Sequence, residues 1–164
     1  MNKAVFLDRD GVINYDGNEY YTYKIEDFKI NEGVIEALTL LKQYGYLLII
    51  ISNQGGIGRG YYTKKDTDNV HSYMVDILRE HDIELDEIYY CPHYPDSSNC
   101  ICRKPDSLMI EKALARFQID STKSFFVGDR EKDVEAALKA GVKPVKIEAN
   151  ENIIKYVKEI IKSE

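Results

Sequence analysis

The sequence has no apolar run approaching the roughly 20 residues that a membrane-spanning helix needs. It also has no leader pattern at its start, because Met1-Asn2-Lys3 runs straight into a strand that ends in acids. A cytoplasmic protein is the expectation. Positive charge is not in excess: 22 Lys and Arg stand against 28 Asp and Glu, a net charge of -6. That balance, with no basic stripe, speaks against nucleic acid or an anionic membrane as partner. A phosphorylated small molecule remains open if cations gather locally. Cysteine is scarce, and all three residues fall between positions 91 and 102. An odd, clustered set without a secretion signal points to metal rather than disulfides. There is no repeat, low-complexity segment or linker, and 164 residues suit one domain, acting as a monomer, with a full core.

What is present alternates between strand and helix. Apolar strands are expected at residues 3–7, 46–51, 88–90, 124–127 and 142–147. Between them lie helical stripes: Val34, Ile35, Leu38 and Leu41, stopped by Gly45, and Val70, Tyr73, Met74, Ile77 and Leu78 behind a Thr63 N-cap. Further stripes are Ile110, Ala113, Leu114 and Phe117 behind an Asp106 cap, Val134, Ala137 and Leu138 up to Gly141, and Ile153 to Ile161. Residues 10–31 carry no helical period and read as a long loop over the active face. The pattern predicts an α/β protein, a Rossmann-like three-layer sandwich with a parallel five-stranded sheet.

Asp8, Ser52 and Asp129 each follow an apolar strand directly. In a parallel sheet such strand ends share one edge, where ligands bind. Asp8 and Asp10 from the first strand and Asp129 from the fourth make a hard oxygen site suited to magnesium. Gly11 lets the chain turn and come close to a ligand. Ser52-Asn53 offers a hydroxyl and an amide to phosphate oxygens, and Arg103-Lys104 brings two cations to a helix start. Cys91, His93, Cys100 and Cys102 supply four soft or borderline ligands, the number of a closed tetrahedral site. His71 and His81 have no such company and read as solvent-facing helix residues.

Asp8-Arg9-Asp10-Gly11-Val12, Ser52-Asn53, Lys104 and Gly128-Asp129-Arg130-Glu131-Lys132-Asp133 resemble, in order, the four motifs of the haloacid dehalogenase superfamily of phosphotransferases. The start, the Asn53-Gln54-Gly55-Gly56 turn and the Cys91-Pro92-His93 and Cys100-Ile101-Cys102-Arg103-Lys104-Pro105 blocks resemble two groups within it. These are the D-glycero-D-manno-heptose 1,7-bisphosphate 7-phosphatases and the histidinol-phosphate phosphatases. The resemblance implies a capless fold in one domain, residues 1–164, with a zinc loop at 91–105. It implies that Asp8 attacks phosphorus while Asp10 gives and then takes a proton. Asp8, the Asp10 backbone carbonyl and Asp129 would hold magnesium, Ser52 and Lys104 would neutralise the phosphoryl group, and the four Cys and His residues would hold structural zinc.

With no room for a cap, the substrate is expected to be chosen by residues 16–23, Arg59 and the zinc loop. Asp16, Asn53, Gln54, Gly55, Arg59, Arg103 and Arg130 are the expected contacts to a small phosphorylated sugar. The glycine-rich run to Arg59 resembles the heptose enzymes. The six residues between His93 and Cys100 are fewer than those enzymes usually have, and nearer the histidinol-phosphate length. A zinc-stabilised binding module without catalysis would lack Asp8, Asp10 or Asp129, and all three are present.

Overall fold

Five strands, β1 (Lys3–Leu7), β2 (Tyr46–Asn53), β3 (Glu87–Cys91), β4 (Phe125–Gly128) and β5 (Lys143–Lys146), pair in parallel in the order β3-β2-β1-β4-β5. This is a computed structural model, and it describes residues 1–17, 21–95 and 99–163. Residues 18–20 of the expected selectivity stretch and 96–98 of the zinc loop lie outside the described residues.

The central strands have no polar face because both faces are covered. Val5 and Leu7 of β1, with Leu48 and Ile50 of β2, pack under α1 (Val34–Gln43), α2 (Lys64–Glu80) and α5 (Ile154–Lys162). Ala4, Phe6, Ile49 and Ile51 point the other way, toward α3 (Leu108–Arg116) and α4 (Glu131–Lys139). Helices therefore cover both faces of the sheet, giving the three layers. Helix α2 opens with a reciprocal cap: Asp66 N donates to Thr63 Oγ1 at 3.1 Å and Thr63 N to Asp66 Oδ2 at 2.9 Å.

Three local expectations are corrected. Asp106 does not cap α3, which follows Ser107, and Asp106 instead faces Lys139 at 3.8 Å. Leu138 is 62% exposed, because α4 turns Asp133, Ala136 and Ala137 inward. His71 does not face solvent but is 6% exposed.

Strand order changes direction around β1, whose neighbours β2 and β4 leave their C-terminal ends beside its own. That edge is the switch point where open α/β sheets bind ligands. Between β1 and α1 the described residues hold only a 3-10 turn, Ile25–Asp27, and between β3 and α3 they hold no helix or strand. Among the described residues no cap domain covers the cleft. Among the described residues no helix is long and apolar enough to cross a membrane.

Removing the buried Ile50 side chain leaves a cavity in the central sheet, so Ile50→Ala is expected to cost about 2–5 kcal/mol. Leu138→Ala, on the exposed side of α4, is expected to stay within about 0.5 kcal/mol of the parent. Urea unfolding curves of the two variants measure both values.

Candidate active site

Asp8 stands immediately after β1 and is 8% exposed. Its Oδ1 accepts from Arg9 N at 2.8 Å and lies 3.1 Å from Lys104 Nζ. Lys104 is 2% exposed, and its ammonium also donates to Asp133 Oδ1 at 2.7 Å and to the Ile51 carbonyl at 2.8 Å. Burial works to lower the Lys104 pKa, but Asp8 and Asp133 outweigh it and the pKa rises. The two carboxylates thus favour the charged ammonium. Asn53 fixes its backbone from both sides, with Nδ2 donating to Lys104 O at 3.1 Å and Oδ1 accepting from Lys104 N at 3.0 Å.

Asp8, Asp129 and Asp133 bring carboxylate oxygens within 4.8 Å of one another. Burial above all raises the Asp8 pKa, Lys104 opposes it, and Asp133, Asp129 and Asp10 add to it. Asp129 is also raised, by burial and then by Asp133. Asp129 Oδ1 is buried and has no hydrogen-bond partner among the described residues. Acid charge exceeds what Lys104 alone can offset. A hard divalent cation suits such a set.

The Asp10 carboxylate turns away from this cluster. Oδ1 accepts from Arg9 Nε at 3.1 Å, Arg9 Nη2 at 2.7 Å and Asn14 Nδ2 at 3.0 Å, and Oδ2 from Gln54 Nε2 at 3.2 Å. Burial would raise its pKa, but the Arg9 charge and these donors prevail and hold it below the ordinary value. A metal would meet the Asp10 backbone rather than its side chain. Gln54 Nε2 also reaches Ser52 Oγ at 2.8 Å, and its Oε1 accepts from Tyr62 OH at 2.6 Å.

The cleft above these groups has a volume of about 280 Å³. Asp16, Gly55, Arg59, Arg103, Arg130 and Lys132 line it beside Asp8, Asp10 and Asp133. Arg59 donates to Tyr21 OH at 3.2 Å and to Tyr61 OH at 3.0 Å, and sits 4.8 Å from the ring centres of Tyr61 and Tyr94. Arg130 Nη2 lies 3.7 Å from Asp16 Oδ2, and Arg103 Nη1 donates to the His93 carbonyl at 3.2 Å.

At the mouth of the cleft, Cys91, His93, Cys100 and Cys102 converge. His93 Nδ1 is 3.5 Å from Cys91 Sγ and 3.3 Å from Cys102 Sγ, and the Sγ atoms of Cys91 and Cys100 are 3.7 Å apart. Cys91 and Cys102 touch as a disulfide pair would. A disulfide accounts for neither the third thiol nor the imidazole nitrogen aimed at the sulfurs. A four-donor metal site accounts for all four residues.

The sequence model of the polynucleotide kinase 3 phosphatase family matches residues 4–155. A D-glycero-beta-D-manno-heptose-1,7-bisphosphate 7-phosphatase of Haemophilus influenzae is 44% identical over 148 residues, covering 87% of this chain and 79% of the relative. The chain belongs to the heptose bisphosphate phosphatase family of the haloacid dehalogenase superfamily. As a phosphatase of this family it is a phosphoric monoester hydrolase. A Campylobacter jejuni relative named for the alpha anomer is 44% identical over 140 residues, covering 85% of this chain and 78% of its own. The solved D,D-heptose 1,7-bisphosphate phosphatase of B. bronchiseptica, complexed with magnesium and phosphate, superposes with a TM-score of 0.90 at 25% identity, covering 99% of each chain.

Three residues expected to touch substrate also bond to protein groups, and Asn53 lines the cleft as well. Ser52 is fully buried and presents its hydroxyl to Gln54. Gln54 is buried against Asp10, and the Asn53 amide is taken up by Lys104. Lys132, which lines the cleft, was not foreseen. It stands one residue before Asp133 in the first turn of α4, where the sequence does not tell a cleft lysine from a solvated one. Nor was Asn150, which donates to the Asp16 carbonyl at 2.6 Å and so holds the loop that bears Asp16.

Gly11 has φ +85°, and a Cβ there would collide with the Asp129 carboxylate, whose Cγ would lie 2.9 Å away. Gly11→Ala is expected to cost about 1–3 kcal/mol from the backbone alone. It should also raise the magnesium concentration needed for half-maximal activity, which a metal titration of phosphate release reads directly.

Proposed function

We propose that this phosphatase removes the 7-phosphate of D-glycero-D-manno-heptose 1,7-bisphosphate, with magnesium, through an aspartyl-phosphate on Asp8. The observation that carries the substrate is the ring of cations beyond Lys104: Arg59, Arg103, Arg130 and Lys132. The Lys132 pKa is lowered by burial and then by Arg103 and Arg130, so like charges face one another across the cleft. A second phosphate relieves that repulsion. The ammonium of histidinol phosphate would add to it. Arg59, held by Tyr21 and Tyr61, stands in that ring with Arg103, Arg130 and Lys132 to meet the second phosphate.

Asp8, Asp129 and the Asp10 backbone carbonyl would hold magnesium, and the buried, unpartnered Asp129 Oδ1 fits that role. When bound, the ion offsets charge on the transferring phosphoryl group. Asp8 Oδ1 is fixed by Arg9 N and Lys104, while Oδ2 has no hydrogen bond among the described residues and is the attacking atom. As the bond from Asp8 to phosphorus forms, the bond to the sugar O7 breaks and Asp10 delivers a proton to that oxygen. Water then attacks phosphorus, Asp10 takes its proton, and inorganic phosphate leaves Asp8 as a free carboxylate. The free enzyme holds Asp10 ionised, the form the second step needs. A bound phosphate beside it raises its proton affinity, the direction the first step needs. Lys104 neutralises the phosphoryl oxygens, a step that is mostly positioning and charge stabilisation. Ser52 acts beneath the floor by orienting Gln54.

Zinc on Cys91, His93, Cys100 and Cys102 would be structural, since all four positions are protein donors. Cys102 is two residues from Lys104, so the metal loop would brace the cation.

Phosphate release with magnesium is expected from the heptose bisphosphate and to be far slower from histidinol phosphate. The reverse preference would refute the substrate. Asp8→Asn is expected to lower release at least about a thousandfold with the fold retained.

Cys100→Ser should lose stoichiometric zinc and lower the melting temperature and the activity together. Metal analysis of protein purified without chelator checks the loading, and its absence from the parent would remove the zinc assignment.

A further inference from the structure

Arg9 is fully buried directly after the nucleophile and is not among the residues that line the cleft. Its guanidinium joins three parts of the chain. Nε and Nη2 hold Asp10 Oδ1, Nη2 also donates to the Thr22 carbonyl at 2.7 Å, and Nη1 lies 3.2 Å from His71 Nε2. Arginine can only donate, so Nε2 must be the acceptor and the imidazole proton sits on Nδ1. The ring is therefore neutral. Burial and then the Arg9 charge push the His71 pKa down to about 3, in the same sense.

His71 is itself held. It lies among Thr67, Val70 and Met74 on the buried stripe of α2. The Tyr90 ring of β3 packs edge-on against it at 5.4 Å, and Tyr90 OH donates to Asp68 Oδ1 at 3.0 Å. Helix α2 and β3 thus fix the imidazole, the imidazole fixes the guanidinium, and the guanidinium fixes the carboxylate.

We propose that His71 is a positioning residue that, through Arg9, aims the Asp10 carboxyl group at the leaving oxygen. The proposal rests on the reading of Asp10 as the proton donor. Loss of the His71 acceptor leaves a buried N–H of Arg9 unpaired, and the guanidinium reorients to satisfy it. Asp10 Oδ1 then loses its direction, and proton transfer is sensitive to small misplacements.

The test uses the magnesium-loaded enzyme and two esters that differ in their need for a proton. The probes are p-nitrophenyl phosphate, whose phenolate leaves unaided, and whichever of the heptose bisphosphate and histidinol phosphate turns over faster. The quantity is kcat/KM, which reads the steps up to departure of the leaving group. His71→Phe is expected to lower it roughly tenfold for the alkyl ester, a part of what a general acid supplies, and less than about threefold for the aryl ester. His71→Gln, which returns an acceptor at the reach of Nε2, is expected to restore the alkyl rate. His71→Asn, polar but too short, should repeat the selective loss and serves if phenylalanine is not tolerated. Equal losses on both esters, or no loss on either, would overturn the proposal. Asp10→Asn in the same assay separates the two levels. A selective loss there with none at His71 rejects the positioning role alone, and an equal loss on both esters at Asp10 rejects the proton-donor reading and the proposal with it.

Discussion

One ammonium group, Lys104 Nζ, joins the elements that make the site. It meets Asp8 after β1, the Ile51 carbonyl of β2 and Asp133 of α4, all within 3.1 Å. A cation this deeply buried is costly unless every donor is paired, and here three oxygens pair it. Removing it would leave two buried carboxylates facing each other, so the loop carrying Lys104 is as necessary to the fold of the cleft as to its chemistry. Asn53 serves the same end. An amide at the end of β2 that could have faced a ligand instead clamps the Lys104 backbone.

The balance around Lys104 stays unequal. Three carboxylates crowd one ammonium, and burial raises the pKa of both Asp8 and Asp129. The chain makes room for this crowding rather than relieving it. Gly11 and Gly128 are the two positions where a Cβ would run into Asp129 and Asp133 respectively. Such a concentration of acid is unfavourable for the isolated protein and favourable for a divalent cation, the usual trade of stability for function at a site.

Much of this was legible in the sequence, for physical reasons that differ between elements. The strands could be read because buried parallel strands are continuous apolar runs, and the edge because polar residues follow them. Asp8, Lys104 and Asp129 converge as their motif order implied. Leu138 lies outside the buried stripe because α4 turns Ala136 and Ala137 inward and leaves the larger side chain in water. His71 misled for want of phase. Thr67, Val70, His71, Met74 and Leu78 fall on one stripe, so spacing alone could have placed the imidazole inside. Ser52, Asn53 and Gln54 could not have been sorted this way. Their types suit a phosphate equally well, and only the structure shows which protein groups each also bonds: Gln54 for Ser52, Lys104 for Asn53 and Asp10 for Gln54.

An open cleft raises the question of how the Asp10 carboxylate stays aligned when no domain closes over it among the described residues. The Asp10 carboxylate answers it with four hydrogen bonds from three residues, none of which depends on a lid. Asn14 comes from its own loop, Gln54 from the turn after β2, and Arg9 from the motif itself. Each is buried, so water does not compete for the bonds. Gln54 in turn accepts from Tyr62, whose ring stacks on Tyr23 with centroids 5.0 Å apart. Gly56 is the residue that lets the Tyr62 ring come so close. The aromatic wall of the cleft and the Asp10 carboxylate are thereby linked through Gln54 and Tyr62. Order that a cap would supply on closing is built here into the floor and wall beforehand, which is the preorganisation that electrostatic catalysis requires.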